Sequence, residues 1–482
     1  MFENGRLTIN HNTWKDGIAS SPFVGCEDVR NADIWSKPGA LLCGYKATKE
    51  TGTAVTDFIR FMRHDESTDT VFAGGMSGRL YQRTSGGVWD DVKNSGVPVS
   101  EASECNGLEL WKGYILFAEE TKLHAYDRSS EFWYGDWKTF AEGKRNLIDL
   151  PHVMKIGQDD VVYMTDGRYI ASLQEVPGQT FNASDSNTYT WNDQALDLPD
   201  GYVASTLEEL GTYLVIGTYY TEVLNRGNRA ELYPWNRTAA SFNIPMRTKG
   251  NGVWQTIAKG NLLYSIVDRR NLKLYASNLT AFELQRELRR IDEDLTLHPD
   301  AIEIVDEEIL CGIGDGNAEN LGIYSFRDGV MQLRNVLSPG ATNIEIGSVI
   351  SIGDRQLLAS WKYGSTYGVD IINTTRTTSY TTMLDSPLYT VGDALNPFSF
   401  AQIDVLLARK LSTGQGVRVS YRTSLDADFA PLHTFDFTTY QAVSSMNASS
   451  SLDGVTTIQL RIELTAAADS DATPELLSLT LF

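Results

Sequence analysis

Short apolar stretches separated by turn residues recur along most of the chain at nearly constant intervals. In residues 107–140 they predict four successive antiparallel strands, with Lys112-Gly113 as a tight turn between the first two. The apolar second strand of this unit recurs near Val71, Tyr114, Val161, Tyr213, Leu262, Ile309 and Leu357. The intervals run from 43 residues (71 to 114) to 52 residues (161 to 213), which is typical of propeller blades. The pattern predicts an all-β protein with a seven-bladed β-propeller over residues 58–384.

The repeat is absent from both ends of the chain. Residues 1–57, rich in Gly, Pro, Ser and Thr after residue 20, predict an extended arm, and within it residues 5–10 (GRLTIN) are the candidate strand that closes the propeller. Residues 385–482 follow a Pro-containing connector and show clean alternation of apolar and polar positions, which predicts a small antiparallel β-sandwich. Its apolar positions are Ile403-Val405-Leu407, Val417-Val419-Tyr421, Ile458-Leu460-Ile462-Leu464 and Leu477-Leu479-Leu481.

The fourth predicted blade carries a long connection after Asn225. This connection holds Tyr233, Trp235 and Phe242 among four arginines. Long loops on a rigid scaffold often carry binding residues, so these three aromatic residues are candidate interface positions. The alternative is that they pack against their own blade.

Residues 280–295 show a helical period. Leu284, Leu288, Ile291 and Leu295 fall at i, i+4, i+7 and i+11, which predicts an amphipathic helix inserted into the fifth blade. Leu284, Leu288 and Ile291 are therefore candidate contacts to another copy or another protein. The alternative is that they cover the outer strand of the same blade.

Charge, hydropathy and cysteine content indicate which kinds of partner and which cellular compartment suit the chain. The chain has 41 basic and 62 acidic residues, a net charge of −21, which argues against gripping nucleic acid by phosphate neutralisation but suits a surface past which DNA slides. Solubility alone is the other explanation of this charge. No apolar run reaches the roughly 18 residues of a membrane span, and the start lacks a secretion signal, so a soluble protein made in a cytoplasm is expected. The four cysteines (Cys26, Cys43, Cys105, Cys311) form no CxxC pair and predict free, mostly buried thiols.

Each stretch that is similar to a catalytic, metal-binding or cofactor-binding motif lacks a residue that the motif requires. The sialidase-like stretch at residues 184–191 (SDSNTYTW) has Ser186 in place of the required aspartate. Residues 312–319 (GIGDGNAE) lack the third glycine of a nucleotide loop and the glycine and glutamate of a calcium loop. All six histidines are isolated in the sequence. We therefore predict no catalytic residues, no cofactor and no metal, and a protein that is not an enzyme.

Several short sequence segments of the chain resemble those of a known family of virion proteins. They are SPLYTVGDALNPFSFAQIDVLLA, GVRVSYRTSLDADF, TTIQLRIELT and PELLSLTLF in residues 386–482, and NADIWSKPGALL in residues 31–42. Together with the order of propeller, β-domain and terminal strand, they resemble the tail hub or nozzle (packaged-DNA stabilisation) proteins of short-tailed bacteriophages. The resemblance implies a structural protein of the virion tail, in a ring commonly of six copies below the portal and adaptor, that retains and conducts DNA without sequence-specific binding.

Three other functions remain open at this point. A receptor-binding or fibre-type adhesin would use the aromatic and arginine residues of the fourth blade to contact a glycan. A carbohydrate-active propeller enzyme would need two facing carboxylates, and no motif selects such a pair. A cellular interaction scaffold is the third, because the propeller fold hosts many functions.

Overall fold

The structure is a computed structural model of the chain. It describes all residues except 1, 4, 16, 19–25, 52–53, 102, 140–149, 222–228, 290–294, 315–320, 354–355, 377–380, 438–442, 448–451 and 468–471. Regular structure in the described residues is almost entirely β-strand, with one four-residue helix, His11–Trp14. The prediction of an all-β protein is confirmed.

The strands divide between two compact units that are each assembled from separated stretches of chain. The first unit comprises Met1–Thr48, Gly322–Ser338 and Ile372–Phe482, and the second comprises Lys49–Leu321 and Pro339–Ile371. These bounds do not coincide with the boundaries expected after residues 57 and 384.

The second unit repeats one arrangement, a four-stranded antiparallel sheet whose strands follow one another in chain order. We call the five complete sheets meanders 1 to 5. Their strands are Ile59–Asp65, Thr70–Gly75, Leu80–Arg83 and Trp89–Asp91; Gly107–Trp111, Tyr114–Ala118, Lys122–Asp127 and Phe132–Thr139; Met154–Ile156, Val162–Asp166, Tyr169–Glu175 and Tyr189–Asp197; Tyr202–Leu210, Tyr213–Tyr220, Arg229–Trp235 and Met246–Lys249; and Val253–Lys259, Leu262–Val267, Asn271–Ser277 and Phe282–Arg289. A short hairpin, Lys93–Asn94 with Val97–Pro98, follows meander 1 in the chain.

Two further groups of strands continue this series. A hairpin of Ile302–Val305 and Glu308–Ile313 follows meander 5, and a last sheet contains Ile344–Ser351, Leu357–Tyr363 and Thr366–Arg376. In the predicted seven-bladed propeller this hairpin would begin a complete sixth blade of four consecutive strands. The next two strands, Gly322–Arg327 and Val330–Asn335, belong to the first unit.

The first strands of these seven groups form a closed cycle. The first strand of each group contacts the first strand of the next group, and the first strand of the last sheet contacts that of meander 1. Between meanders 3 and 4 the more extensive contact is made by the second strand of meander 3. At this closure, Ser360 Oγ donates a hydrogen bond of 2.8 Å to the Ile59 carbonyl. A Cβ atom added to Gly347 would lie 2.1 Å from that same carbonyl oxygen, so the two strands approach this closely only because residue 347 is glycine.

The chain that leads into meander 1 lies along the last sheet. The strand Tyr45–Lys49 precedes Glu50, whose amide donates to the Val369 carbonyl at 2.9 Å. The prediction that residues 5–10 close the propeller is wrong. Arg6–Asn10 instead pairs with Leu476–Leu481 in the first unit, where its apolar side chains are fully buried.

Apolar cores lie between consecutive meanders rather than within any one of them. Phe72 of meander 1 packs in one cluster with Ile115 and Phe117 of meander 2. All five residues of Tyr114–Ala118 are buried, as expected for a strand covered on both faces. This explains why the second strands are apolar without alternation, and why they were the clearest repeat signal in the sequence.

The first unit contains two sheets that share one core. One has the order Phe2–Glu3, Arg6–Asn10, Leu476–Leu481, Gln402–Leu407, Val443–Asn447. The other runs Gly322–Arg327, Val330–Asn335, Asp28–Arg30, Thr382–Asp385, Thr457–Thr465, Gly416–Arg422, Ala430–Asp436, with Tyr389–Thr390 also paired to Thr457–Thr465. A two-stranded pair, Ala32–Asp33 with Leu42–Cys43, completes the unit. Apolar side chains of both sheets form a single buried cluster that includes Leu7, Ile403, Val419 and Ile462.

The predicted helix over residues 280–295 is wrong. Phe282–Arg289 is the fourth strand of meander 5 and pairs antiparallel with Asn271–Ser277. Residues 290–294 lie outside the described part of the chain. The cysteine prediction is confirmed, since all four thiols are free and buried.

Candidate functional site

A cavity of ≈ 570 Å³ lies at the centre of the cycle of first strands, and we call it the central cavity. Every one of the seven first strands contributes to its lining. The position follows from the repeat, because equivalent residues of each group face the same axis. The charged lining residues are Arg63, Glu66, Glu109, Lys155, Glu208, Asp300 and Glu303.

Arg63 connects two carboxylates that come from different groups of strands. Its Nε atom donates to Glu109 Oε2 at 3.1 Å and its Nη1 atom to Asp300 Oδ1 at 2.5 Å. Burial on its own would lower the pKa of this guanidinium, but the charges of Asp300 and Glu109 raise it overall. Asp300 Oδ2 also accepts from Met62 N at 3.0 Å and Ser348 Oγ at 2.5 Å. Asp300 thus ties meander 1 to the last sheet.

A second ion pair and an acid with a raised pKa also belong to the charged lining. Lys155 Nζ lies 2.8 Å from Glu208 Oε1, and although burial lowers the pKa of Lys155, Glu208 raises it overall. Burial raises the pKa of Glu303, against the amides of Ile304 and Ser351 that hydrogen-bond to its carboxylate. A raised carboxyl pKa in a cavity is the property expected of a general acid, so Glu303 is the group that an enzymatic alternative would have to use.

A second cavity, of ≈ 340 Å³, is lined by Arg60, Arg269 and His298, and we call it the arginine pocket. Arg269 Cζ lies 3.6 Å from the centre of the Trp254 ring, a close cation–π contact. Tyr219 stacks with Trp254 at a centroid distance of 5.1 Å. This aromatic support fixes the guanidinium of Arg269 at the wall of the pocket.

The described charged side chains that line the arginine pocket, Arg60 and Arg269, are both cations. The pKa of His298 is lowered to about 3, mainly by burial and in smaller part by the positive charges of Arg60, Arg269 and Lys362. Arg60 is itself paired, with Glu104 at 2.6 Å. In a chain of net charge −21, this pocket is a local exception that fits an anionic group such as a carboxylate, sulfate or phosphate.

The three aromatic residues predicted as interface positions belong to the core of meander 4. Tyr233 is 1% and Trp235 2% exposed, and Phe242 packs partly buried against the same cluster. The Tyr233 hydroxyl donates to Glu231 Oε2 at 2.6 Å, and Trp235 Nε1 to the Ala239 carbonyl at 2.8 Å. Tyr233 and Trp235 are therefore buried, not exposed as the prediction placed them. The cluster that holds the three aromatic residues also contains side chains of meander 3, such as Tyr163.

The three aliphatic interface candidates do not form a helical stripe. Leu284 is an exposed residue of an edge strand, and Leu288 stands opposite Leu272 in the register of that sheet. Ile291 lies outside the described residues, as do residues 315–319 of the glycine-rich stretch 312–319. Contact of this strand with another copy stays a prediction.

The residues that line both cavities carried no signal in the sequence. Arg63 and Asp300, or Arg60 and His298, are more than two hundred positions apart, and no motif links them. For Arg63, Arg60, Asp300 and His298 the usable signal is their place in the repeat, within or shortly before a first strand. His124, which is isolated in the sequence, lies beside Glu101 and Glu119 in the structure.

Comparisons with known proteins give fold neighbours and nothing more specific. No protein-family model matches the chain, and no curated protein matches it. Among solved structures it is similar to the β-propeller domain of Cps50 (Swd1) from Myceliophteria thermophila, with 11% identity over 67% of this chain and 99% of that one and a TM-score of 0.46.

Two further solved structures are similar to the chain. One is the extracellular domain of a hybrid two-component system from B. thetaiotaomicron, with 11% identity, a TM-score of 0.46 and coverage of 79% of this chain but 44% of that one. The other is the computationally designed Ika8 protein, with 12% identity, a TM-score of 0.40 and coverage of 69% and 94%. At these TM-scores the likeness carries no argument about this chain. Among the described residues, none of the helices has the length and apolarity to cross a membrane.

Proposed function

We propose that the chain is a structural protein of a phage tail, a hub or nozzle component that assembles into a ring and retains and conducts DNA. In this proposal the seven groups of strands are the blades of one β-propeller, and residues 385–482 form the β-sandwich that follows it. The closed cycle of first strands supports the blade count. The resemblance in residues 31–42 and 386–482 supports the tail function, with six copies in the ring.

The charge pairing of the central cavity is the observation that carries this proposal. Arg63 holds Glu109 and Asp300, and Lys155 holds Glu208, so these charges brace neighbouring groups of strands against each other. A scaffold braced in this way suits a protein that withstands mechanical load. The cavity is also far too small for a DNA duplex, whose major groove alone is about 12 Å wide. We therefore place the DNA path between copies in a ring and not through the propeller.

Native mass spectrometry over a concentration series tests the assembly. We expect a closed oligomer, with six copies if the resemblance holds, in equilibrium with the monomer. A mobility-shift assay on the same sample is expected to show no DNA retention at physiological salt, because a net charge of −21 repels phosphates. A chain that stays monomeric at its highest soluble concentration, or that retains DNA tightly, contradicts the proposal.

The arginine pocket favours a second candidate, a receptor-binding protein that recognises an acidic glycan. Arg60, Arg269 and His298 offer hydrogen-bond donors that suit the carboxylate or sulfate of such a sugar. Binding of acidic glycans that is lost in Arg269→Gln but kept in Arg247→Gln, an arginine of meander 4 outside the pocket, would place this candidate first. Absence of binding to an array of acidic glycans would remove it.

A further inference from the structure

Three side chains with metal-binding atoms converge beside meander 2, and we call them the Glu-His cluster. Glu119 follows the strand Tyr114–Ala118, His124 lies in Lys122–Asp127, and Glu101 belongs to the connection from meander 1. Glu119 Oε1 is 3.6 Å from His124 Nε2, and Glu101 Oε1 is 3.8 Å from His124 Nδ1. One donor atom from each residue lies within 4.8 Å of the other two.

The cluster is buried and leaves one carboxylate oxygen unsatisfied. His124 is 0% and Glu119 2% exposed. Among the described residues, Glu119 Oε2 is buried without any hydrogen-bond partner. In the described part of the chain, Lys122 Nζ at 3.5 Å and His124 Nε2 at 3.6 Å from Glu119 Oε1 both lie beyond normal hydrogen-bond length. Since a buried carboxylate without such partners is costly, Glu119 has room for a further hydrogen-bond donor or cation.

We propose that Glu101, Glu119 and His124 bind one divalent cation of the zinc class. Zinc takes imidazole nitrogen and carboxylate oxygen together, at about 2.0–2.2 Å, and its structural and catalytic sites both use three or four such ligands. One ion binds only one nitrogen of an imidazole ring, so the ion would bind His124 Nε2 beside Glu119, and the Glu101 carboxylate would move to it from the Nδ1 side of the ring. The three donor atoms, now within 4.8 Å of one another, would move closer together around the ion. The cation would clamp the connection that carries Glu101 onto the hairpin that carries Glu119 and His124.

Trp133 supplies the outer support that metal ligands normally have. Its ring stacks on the His124 imidazole at a centroid distance of 5.1 Å and an angle of 15°, and its Nε1 atom donates to Glu101 Oε1 at 2.6 Å. One side chain therefore orients two of the three ligands.

Lys122 competes with the proposed cation. Its ammonium group is the cation nearest Glu119 Oε1, but the side chain is 32% exposed and has a route to solvent. Binding of a divalent ion would displace it by charge repulsion. The competing explanation is a purely structural ion-pair group in which protonated His124 bridges two glutamates and no metal binds.

Zinc titration of the full chain after chelator treatment distinguishes the two explanations. We expect one zinc ion per chain by elemental analysis and a melting temperature that rises with zinc concentration. Glu119→Gln and His124→Gln should lose this binding. Trp133→Phe, which removes only the outer support, should weaken it by about 10–100-fold. His64→Gln, which alters a histidine paired with the single carboxylate of Asp69, is the matched control and should bind like the wild type.

Lys122→Gln keeps the test decisive if a ligand variant fails to fold. It leaves all three ligands in place and removes the competing cation, so zinc binding should be at least as tight as in the wild type. Failure of the wild-type chain to bind zinc stoichiometrically overturns the proposal. Zinc binding that survives in folded Glu119→Gln, or that is unchanged in folded Trp133→Phe, overturns it as well.

Discussion

Arg63 is the residue whose removal should most disturb the central cavity. Arg63→Met keeps much of the side-chain volume but leaves Glu109 and Asp300 as charges without their partner in a largely buried site. Breaking a buried pair in this way costs about 3–5 kcal/mol, and we expect the lower end because the arginine side chain retains 21% exposure. Urea unfolding of the variant measures the change in free energy of unfolding.

An exposed ion pair provides the control for Arg63. Lys93 and Asp90 lie 3.3 Å apart with about half of each side chain exposed. Lys93→Gln should therefore change the free energy of unfolding by about 1 kcal/mol or less. Equal losses in the two variants would mean that the charges of the cavity do not brace the fold.

His298 should make stability depend on pH. Its pKa is about 3 in the folded protein and about 6.5 when the chain is unfolded, so between these values the unfolded state binds more protons. Stability from this residue is fully present above pH 6.5 and is lost as pH falls, by at most about 1.4 kcal/mol per pH unit. Urea midpoints at pH 5 and pH 7 for the wild type and His298→Asn isolate this term from the carboxylates. Parallel pH profiles for the two proteins would show that the histidine is not buried among cations.

For individual residues, the sequence predicted burial better than it predicted functional role. The free, buried cysteines and the absence of a complete nucleotide or calcium motif could be judged locally. Tyr233 and Trp235 were misjudged because a strand that follows a long connection looks like part of the loop until the pairing partner is known. Arg63, Asp300 and His298 could not be found, since only the cycle of strands brings them to one axis.

At the scale of the elements, closure of the cycle depends on one glycine. Any side chain at residue 347 would collide with the Ile59 carbonyl, which also accepts from Ser360 Oγ. Gly347→Ala should destabilise the protein by about 1–3 kcal/mol through overpacking. Thermal unfolding measures this, with Gly86→Ala as the control, because a Cβ there meets only Thr84 Oγ1 at 3.8 Å. A change for Gly347→Ala no larger than that for Gly86→Ala would contradict the closure described here.

Strand positions were predicted well because the second strands are buried on both faces, and such runs read clearly as apolar. The edge strand Phe282–Arg289 was mistaken for a helix for a physical reason. A spacing of four residues, as between Leu284 and Leu288, is close to one helical turn, and as an even number it also suits the two-residue alternation of a regular strand. In the structure this strand has a register shift opposite Leu274 and Tyr275, which interrupts that alternation. Outer strands are half exposed, so their composition does not resolve that ambiguity. The closing strand was misplaced because pairing between distant segments leaves no local pattern.

For the whole molecule, the strong negative charge and the ion pairs of the central cavity both agree with the proposed tail function. A surface of net charge −21 keeps copies of the chain and DNA from sticking nonspecifically, while any ring must be held by specific contacts. The sequence alone could indicate this class of function through its resemblance to tail hub proteins. It could not indicate the size of the central cavity, on which the proposed DNA path between copies depends.

Single-particle cryo-electron microscopy of the assembled chain is the most direct test of the proposed ring. We expect closed rings, of six copies if the resemblance holds, with a lumen between the copies that is wider than a DNA duplex. Each copy should show a seven-bladed propeller whose own centre is closed by side chains. Particles that are only monomers, or rings whose lumen is too narrow for a duplex, would contradict it.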